Sequence, residues 1–267
     1  SKSKTKTMGS GKHLFVLIHG LWGNHKHMKS LNKAFEEAFG QDKNCVFFAP
    51  TQNALFKTFD GIEIVGYRTV IEICQYIKEF KDGQITKISI VGYSMGGLIA
   101  RFVVGKMFSE FGQIFGGMEP QLFLTMASPH LGVQFYNPNA SKFKRVFQPI
   151  LRGVGSNILG KTGRELFITN RHNDILVKLA QGEFLESLAK FKWRVAFANV
   201  KNDRTVSFYT SYISDCDPFI ATENNIKYSF EEKIPGSGYS RVPPRIIDID
   251  RLDILVQRPE VHKPRYY

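Results

Sequence analysis

The residues Gly92-Tyr93-Ser94-Met95-Gly96 fit the pattern G-x-S-x-G. The physics of that pattern is steric. A serine sits on a strained strand-to-helix turn, and small residues two positions either side let strand and helix approach closely. The hydroxyl then stands at the edge of a sheet, with the N-terminus of the new helix pointing at it. A serine held this way can attack an acyl carbonyl as a nucleophile. The pattern alone is weak, since an inert serine in a tight turn also satisfies it. Its setting is more specific: Lys87-Ile-Ser-Ile-Val91 reads as a buried strand, and Leu98 to Phe108 as a helix.

Attack on an ester creates an oxyanion, which two preorganised backbone N–H groups must stabilise. Met95, directly after the serine, supplies one. The other comes from the glycine-loosened turn His19-Gly20-Leu21-Trp22-Gly23, with Leu21 as the expected donor. His19 itself reads as an organiser of that loop rather than a proton carrier. A carboxylate that orients an imidazole is expected in the turn after a core strand, and Asp203 in Asn199-Val-Lys-Asn-Asp203 stands there. Ordinary turn chemistry would also place Asn202-Asp203 in such a position. The chain contains 7 histidines, and His262 is the one that follows Asp203, as the chain order Ser, Asp, His requires. His130, in Ser128-Pro129-His130 at the end of a strand, is the competitor for the base. No His, Cys or carboxylate cluster has metal-ligand spacing, and no GxxxxGK phosphate loop occurs, so neither metal nor organic cofactor is expected.

These residues need elements that bring them to one edge. His13 to Ile18, Cys45 to Pro50, Lys87 to Val91, Gln121 to Met126 and Trp193 to Ala198 are short apolar runs of strand length. Between them, Met28 to Phe39 and residues 61–80 place apolar side chains at helical spacing. Strands alternating with helices predict an α/β fold: a mostly parallel central sheet with helices on both faces. Residues 1–12, rich in Lys, Ser and Thr, read as a flexible basic tail, and 13–267 as one domain. Residues 130–190 contain no strand signal of their own, so a lid insertion is expected there.

Composition narrows the setting. With 267 residues, 43% hydrophobic and 22% charged, the chain suits a single large globular domain. Three cysteines at unrelated spacings suggest neither a disulfide framework nor a zinc site, which fits a reducing, cytoplasmic setting. No apolar run is long enough for a membrane span, and no secretory signal is expected. The net charge of +12 predicts an anionic partner, although a merely solvated basic face would carry it too. No recognisable nucleic-acid module accompanies the charge, so nucleic acid is not expected.

Four motifs in order, Leu17 to Asn24, Val91 to Arg101, Ala127 to Val133 and Ala198 to Val206, resemble the eukaryotic "putative serine esterase" family of α/β-hydrolases. Its similar-looking members are fungal lipases, including a lipid-droplet phospholipase. The resemblance spans about residues 13–213. It implies an α/β-hydrolase fold and cleavage of acyl esters in phospholipids or related lipids. In that family Ser94 matches the nucleophile and Asp203 the acid, while His130 matches a position read as structural.

The segment 130–171 interleaves Lys142, Lys144, Arg145, Arg152, Lys161, Arg164 and Arg171 with Phe135, Tyr136, Phe143, Phe147 and Ile150. Basic and apolar residues mixed in this way suit a surface that is anionic above and hydrocarbon below. The expectation is a lipase or phospholipase acting peripherally on lipid droplets or intracellular membranes. Ser94, His262 and Asp203 form its triad, with Leu21 and Met95 holding the oxyanion. The alternatives are a protein-thioester or small-ester hydrolase, or a lipid-binding module that keeps the fold without turnover.

Overall fold

In the computed structural model of the chain, residues 11–39, 44–81, 83–133, 158–168, 175–199, 203 and 205–213 are described. Five strands form one sheet: β1 (Lys12–Ile18), β2 (Cys45–Phe48), β3 (Ile85–Tyr93), β4 (Glu119–Met126) and β5 (Trp193–Phe197). Their order is β2-β1-β3-β4-β5, and every neighbouring pair is parallel. The five expected strands are therefore present, with ends moved by a few residues at most. β3 begins earlier than the apolar pattern suggests because Ile85 is buried and Thr86 half-buried, although Lys87 is exposed.

A parallel sheet needs crossovers that cover both faces. Leu14, Val16 and Ile18 alternate toward a core completed by α2 (Ile62–Ile77) and α3 (Met95–Ser109). Leu17, Val91 and Leu124 point the other way, toward Met28 and the half-buried Leu31 and Phe35 of α1 (Lys29–Phe39). A short α4 (Gly112–Phe115) leads into β4. The described parts of 130–190 include three helices, α5 (Gly160–Leu166), α6 (Ile175–Leu179) and α7 (Gly182–Ala189). α6 and α7 pack on α3, so they belong to the layer that covers the sheet. Of the insertion expected at 130–190, residues 134–157 and 169–174 are outside the described residues, as are residues 1–10 of the expected tail and residues 214–267. The last residue of that tail, Lys12, instead opens β1, because its pairing with Ile85 extends the parallel ladder with β3.

α3 begins at Met95, three residues before the apolar pattern predicts. Gly96 and Gly97 are poor helix formers, which hides this first turn from a propensity reading. Packing decides the matter: a Cβ on Gly96 would strike the carbonyl oxygens of Ile18 and His19. The first turn of α3 lies directly against the end of β1.

Candidate active site

The chain leaves β1 to one side to form β2, then returns on the other side to form β3. That reversal makes the carboxyl ends of β1 and β3 the switch point of the sheet, where ligands bind in open α/β folds. The strand register aligns those ends: Ile18 lies opposite Gly92, Tyr93 opposite Met126, and Met126 opposite Phe197. Everything that follows a strand is thus gathered along one edge.

Ser94 stands at the switch point. Its backbone has φ 54 and ψ −130, a conformation that costs a non-glycine residue on the order of 1–3 kcal/mol. The surroundings enforce it. A Cβ on Gly92 would lie 2.5 Å from Gly96 O, so strand and helix meet backbone to backbone. Ser94 N–H donates to Met126 O at 2.8 Å, extending the ladder into the turn, and Gly97 N–H donates back to Ser94 O at 3.0 Å. The N–H of Met95 opens α3 and therefore has no acceptor within its own helix.

The loop after β1 faces this serine. A Cβ on Gly20 would sit 2.8 Å from Ser94 Cβ and 3.2 Å from its Oγ, so glycine is required for the close approach. The carbonyl of Gly20 accepts two hydrogen bonds, from Gly23 N–H at 3.1 Å and from His19 Nδ1 at 3.0 Å. A carbonyl only accepts, so His19 carries its proton on Nδ1. Burial lowers the proton affinity of His19, and the bond to Gly20 only partly offsets this. Because the Gly20 carbonyl and the Leu21 N–H share one peptide plane, fixing the first aims the second. His19 is the loop organiser that its type and place suggest.

The competing histidine is fully engaged elsewhere. His130 Nε2 donates to Thr125 Oγ1 at 2.9 Å, and its Nδ1 faces Arg101 Nη1 at 3.4 Å. Burial, and then the neighbouring Arg101 charge, push the imidazole down to about 3. A group so reluctant to take a proton is a poor general base at neutral pH. Arg101 is itself buried, which lowers it to about 10, and its Nη2 donates to Leu179 O at 2.9 Å. This buried Arg–His–Thr arrangement was not legible in the sequence.

Asp203 follows β5, two strands beyond the serine's strand, a gap of roughly 10 Å from strand spacing alone. Its Oδ1 accepts from Thr205 N–H (3.0 Å), Thr205 Oγ1 (3.0 Å) and Val206 N–H (2.9 Å), and its Oδ2 from Asn199 Nδ2 (2.9 Å). Burial opposes the charge, but these donated bonds outweigh it and hold the carboxyl below its usual range. Asp203 is an ionised, locked side chain. The same bonds also close the turn, as an ordinary turn aspartate would. Helix α8 (Phe208–Tyr212) then clamps the loop after β4: Leu131 N–H donates to Thr210 Oγ1, which donates to Gly132 O. His262 lies outside the described residues.

The apolar surface near this edge has a pattern. Trp22, Tyr93, Leu131 and Phe197 are exposed, and each lies at or just past the carboxyl end of a strand. Trp22 also packs edge-on against Phe56 and at a tilt against Phe59, at ring separations of 4.7 and 5.3 Å, and Phe56 is 66% exposed. Among the described residues no group of three His, Cys, Asp or Glu side chains could hold a metal ion. Cys74 is buried, which pushes its thiol up to about 11 and leaves it inert.

A parallel sheet in this order, with a strained serine elbow after its third strand and a carboxylate turn after its fifth, defines an α/β-hydrolase. More narrowly, the chain belongs to the family described as "Putative serine esterase (DUF676)", whose pattern it matches over residues 8–217. It is 32% identical over 208 residues to "Putative lipase ROG1" of Saccharomyces cerevisiae, covering 75% of this chain and 28% of that one. It is 30% identical over 211 residues to "Putative lipase YDL109C" of the same yeast, covering 76% and 30%. The chain thus spans less than a third of the length of these curated relatives. Among solved structures, it is similar to the mature Bacillus licheniformis lipase BlEst2, with 18% identity and a TM-score of 0.41 over 70% of this chain and 66% of that one.

Proposed function

We propose that the chain is a serine lipase or phospholipase that cleaves acyl esters of glycerolipids at a lipid surface. The observation that carries this reading is Ser94 at its strained elbow, with Gly20 packed against it at the switch point of the sheet. Ser94 Oγ attacks the ester carbonyl while His262 takes its proton, and Asp203 orients the imidazole and stabilises its charged form. The N–H groups of Leu21 and Met95 hold the oxyanion. His262 then protonates the leaving alcohol. A water, deprotonated by the same histidine, releases the fatty acid from the acyl-enzyme.

A lipid substrate is favoured by the exposed apolar residues ranged along the same edge as Ser94. The basic–apolar segment 130–171 is proposed to hold the protein peripherally on a lipid droplet or an intracellular membrane. Of its basic residues, Lys161 is committed within the fold, 3.8 Å from Glu63 and 3.7 Å from Glu165. Most of the others lie outside the described residues. No helix among the described residues is long and apolar enough to cross a membrane.

The test is release of fatty acid, followed by mass spectrometry, from phospholipid vesicles and from triacylglycerol emulsions. Release that vanishes in Ser94→Ala supports the reading. Turnover confined to short soluble esters would replace it with a small-ester or thioester hydrolase.

A further inference from the structure

The peptide that carries the Leu21 N–H is held from one side by the bonds to Gly20 O. The next peptide, Leu21–Trp22, is held from a part of the chain that the mechanism does not use. Trp22 N–H donates to Thr58 Oγ1 at 3.0 Å, and the same hydroxyl donates to Leu55 O at 2.5 Å. Leu55 N–H donates in return to Gly23 O at 2.9 Å. Two hydrogen bonds therefore clasp residues 22–23 to the 3-10 turn Leu55–Phe59, and the third, from Thr58 to Leu55, locks the turn itself. Both members of the clasp are strained: Trp22 has φ 58 and Leu55 has φ 53, left-handed values that side-chain-bearing residues avoid. Strain of this kind persists only where the surroundings over-determine it, and it gathers at functional sites. Thr58 is completely buried, so no water can replace its hydroxyl from outside.

We infer that Thr58 is a positioning residue for the oxyanion hole. Resting on the assignment of Leu21 as an oxyanion donor, the proposal is that Thr58 fixes the peptide plane after Leu21 while His19 and Gly23 fix the plane before it. With both planes held, the Leu21 N–H cannot rotate away from Ser94. Removing the hydroxyl frees the second plane and leaves Trp22 N–H without its acceptor.

Thr58 also has a neighbour that serves as an internal control. Thr162, at the start of α5, donates from Oγ1 to Thr58 O at 2.7 Å and accepts from Gly61 N–H at 2.9 Å. It is equally buried at the same junction, but its hydroxyl bonds to Thr58 O and Gly61 N–H rather than to Trp22 or Leu55.

The experiment uses the full chain and p-nitrophenyl butyrate, with kcat, KM and thermal midpoint measured for Thr58→Val, Thr58→Ser and Thr162→Val. Thr58→Val is expected to lose about ten-fold or more in kcat with KM changed less than about two-fold, as displacement of a transition-state donor requires. Thr58→Ser, which keeps the oxygen, restores most of that loss. Thr162→Val lowers the thermal midpoint yet keeps kcat within about two-fold of wild type. If Thr58→Val does not fold, Thr58→Ala removes the same oxygen and carries the same expectation. An unchanged kcat in the oxygen-free variant, or a loss matched by Thr162→Val at equal thermal destabilisation, overturns the inference while leaving the esterase reading standing. A wild-type chain that turns over no ester overturns both.

Discussion

The two ends of the site are built in different ways. On the nucleophile side, main chain is closely packed: Gly96 against the carbonyls of Ile18 and His19, Gly92 against Gly96, and Gly20 against Tyr93 O and the Ser94 side chain. On the acid side, hydrogen bonds within one turn do the holding: the side chains of Asn199 and Thr205 and the main-chain N–H groups of Thr205 and Val206 donate to Asp203 beside the last strand of the described sheet. The first arrangement is rigid because any added atom meets main chain. The second is more adjustable, because two of its four bonds come from side chains that can be replaced singly. The strained turn of Ser94, and with it the oxyanion donors proposed above, is built by the first method. The carboxylate proposed to orient a histidine is held by the second.

Substitutions can break this contrast. Asp203→Asn should slow ester turnover by about a thousand-fold if the carboxylate orients His262, with stability lowered by only about 1 kcal/mol. Steady-state kinetics and urea unfolding on the same preparation measure the two effects. If stability collapses while the residual rate stays high, the carboxylate is a turn residue and nothing more.

Gly96→Ala should act in the opposite way. Its Cβ meets two main-chain carbonyls that cannot step aside, so a stability loss of about 3 kcal/mol or more is expected, with activity falling alongside. A variant as stable as wild type would show that the nucleophile side is less rigid than described.

A smaller effect separates the histidines. His130 is held near 3 in the folded chain, far below the ordinary value of 6.5, so the unfolded chain binds a proton that the folded one refuses. Stability from this group is fully present above about pH 6.5 and is lost as pH falls toward 3, by at most about 1.4 kcal/mol per pH unit. His19, also lowered by burial, adds to the same trend. His130→Gln should therefore flatten the dependence of the urea midpoint on pH between 6.5 and 4, while keeping most of the activity at pH 7.5. An unchanged slope would mean that His130 is not buried as a neutral ring.

The contrast also explains what could be read from the sequence. Backbone contacts leave a sequence trace, because only glycine tolerates them. Gly20, Gly92, Gly96 and the apolar strands before them mark the turn of Ser94 and the loop of Leu21 in the sequence itself. Five strands were legible because a parallel sheet buried on both faces demands unbroken apolar runs. Side-chain hydrogen bonds leave no such trace. Thr58 is an ordinary threonine in an aperiodic stretch, and its partner Trp22 lies 36 positions away. Arg101 sits among apolar residues of α3, and nothing in its spacing announces that it is buried beside His130. The aromatic group of Trp22, Phe56 and Phe59 depends on the same long-range contact, so it too was invisible.

The most direct test of the central claim is covalent labelling of the full chain with a fluorophosphonate probe, read by intact mass. The mechanism predicts one adduct on wild type, at Ser94, absent in Ser94→Ala, slowed by about a thousand-fold or more in His262→Ala, and retained in His130→Ala. An adduct that survives Ser94→Ala, or a wild-type chain that stays unlabelled even with anionic vesicles present, would contradict it.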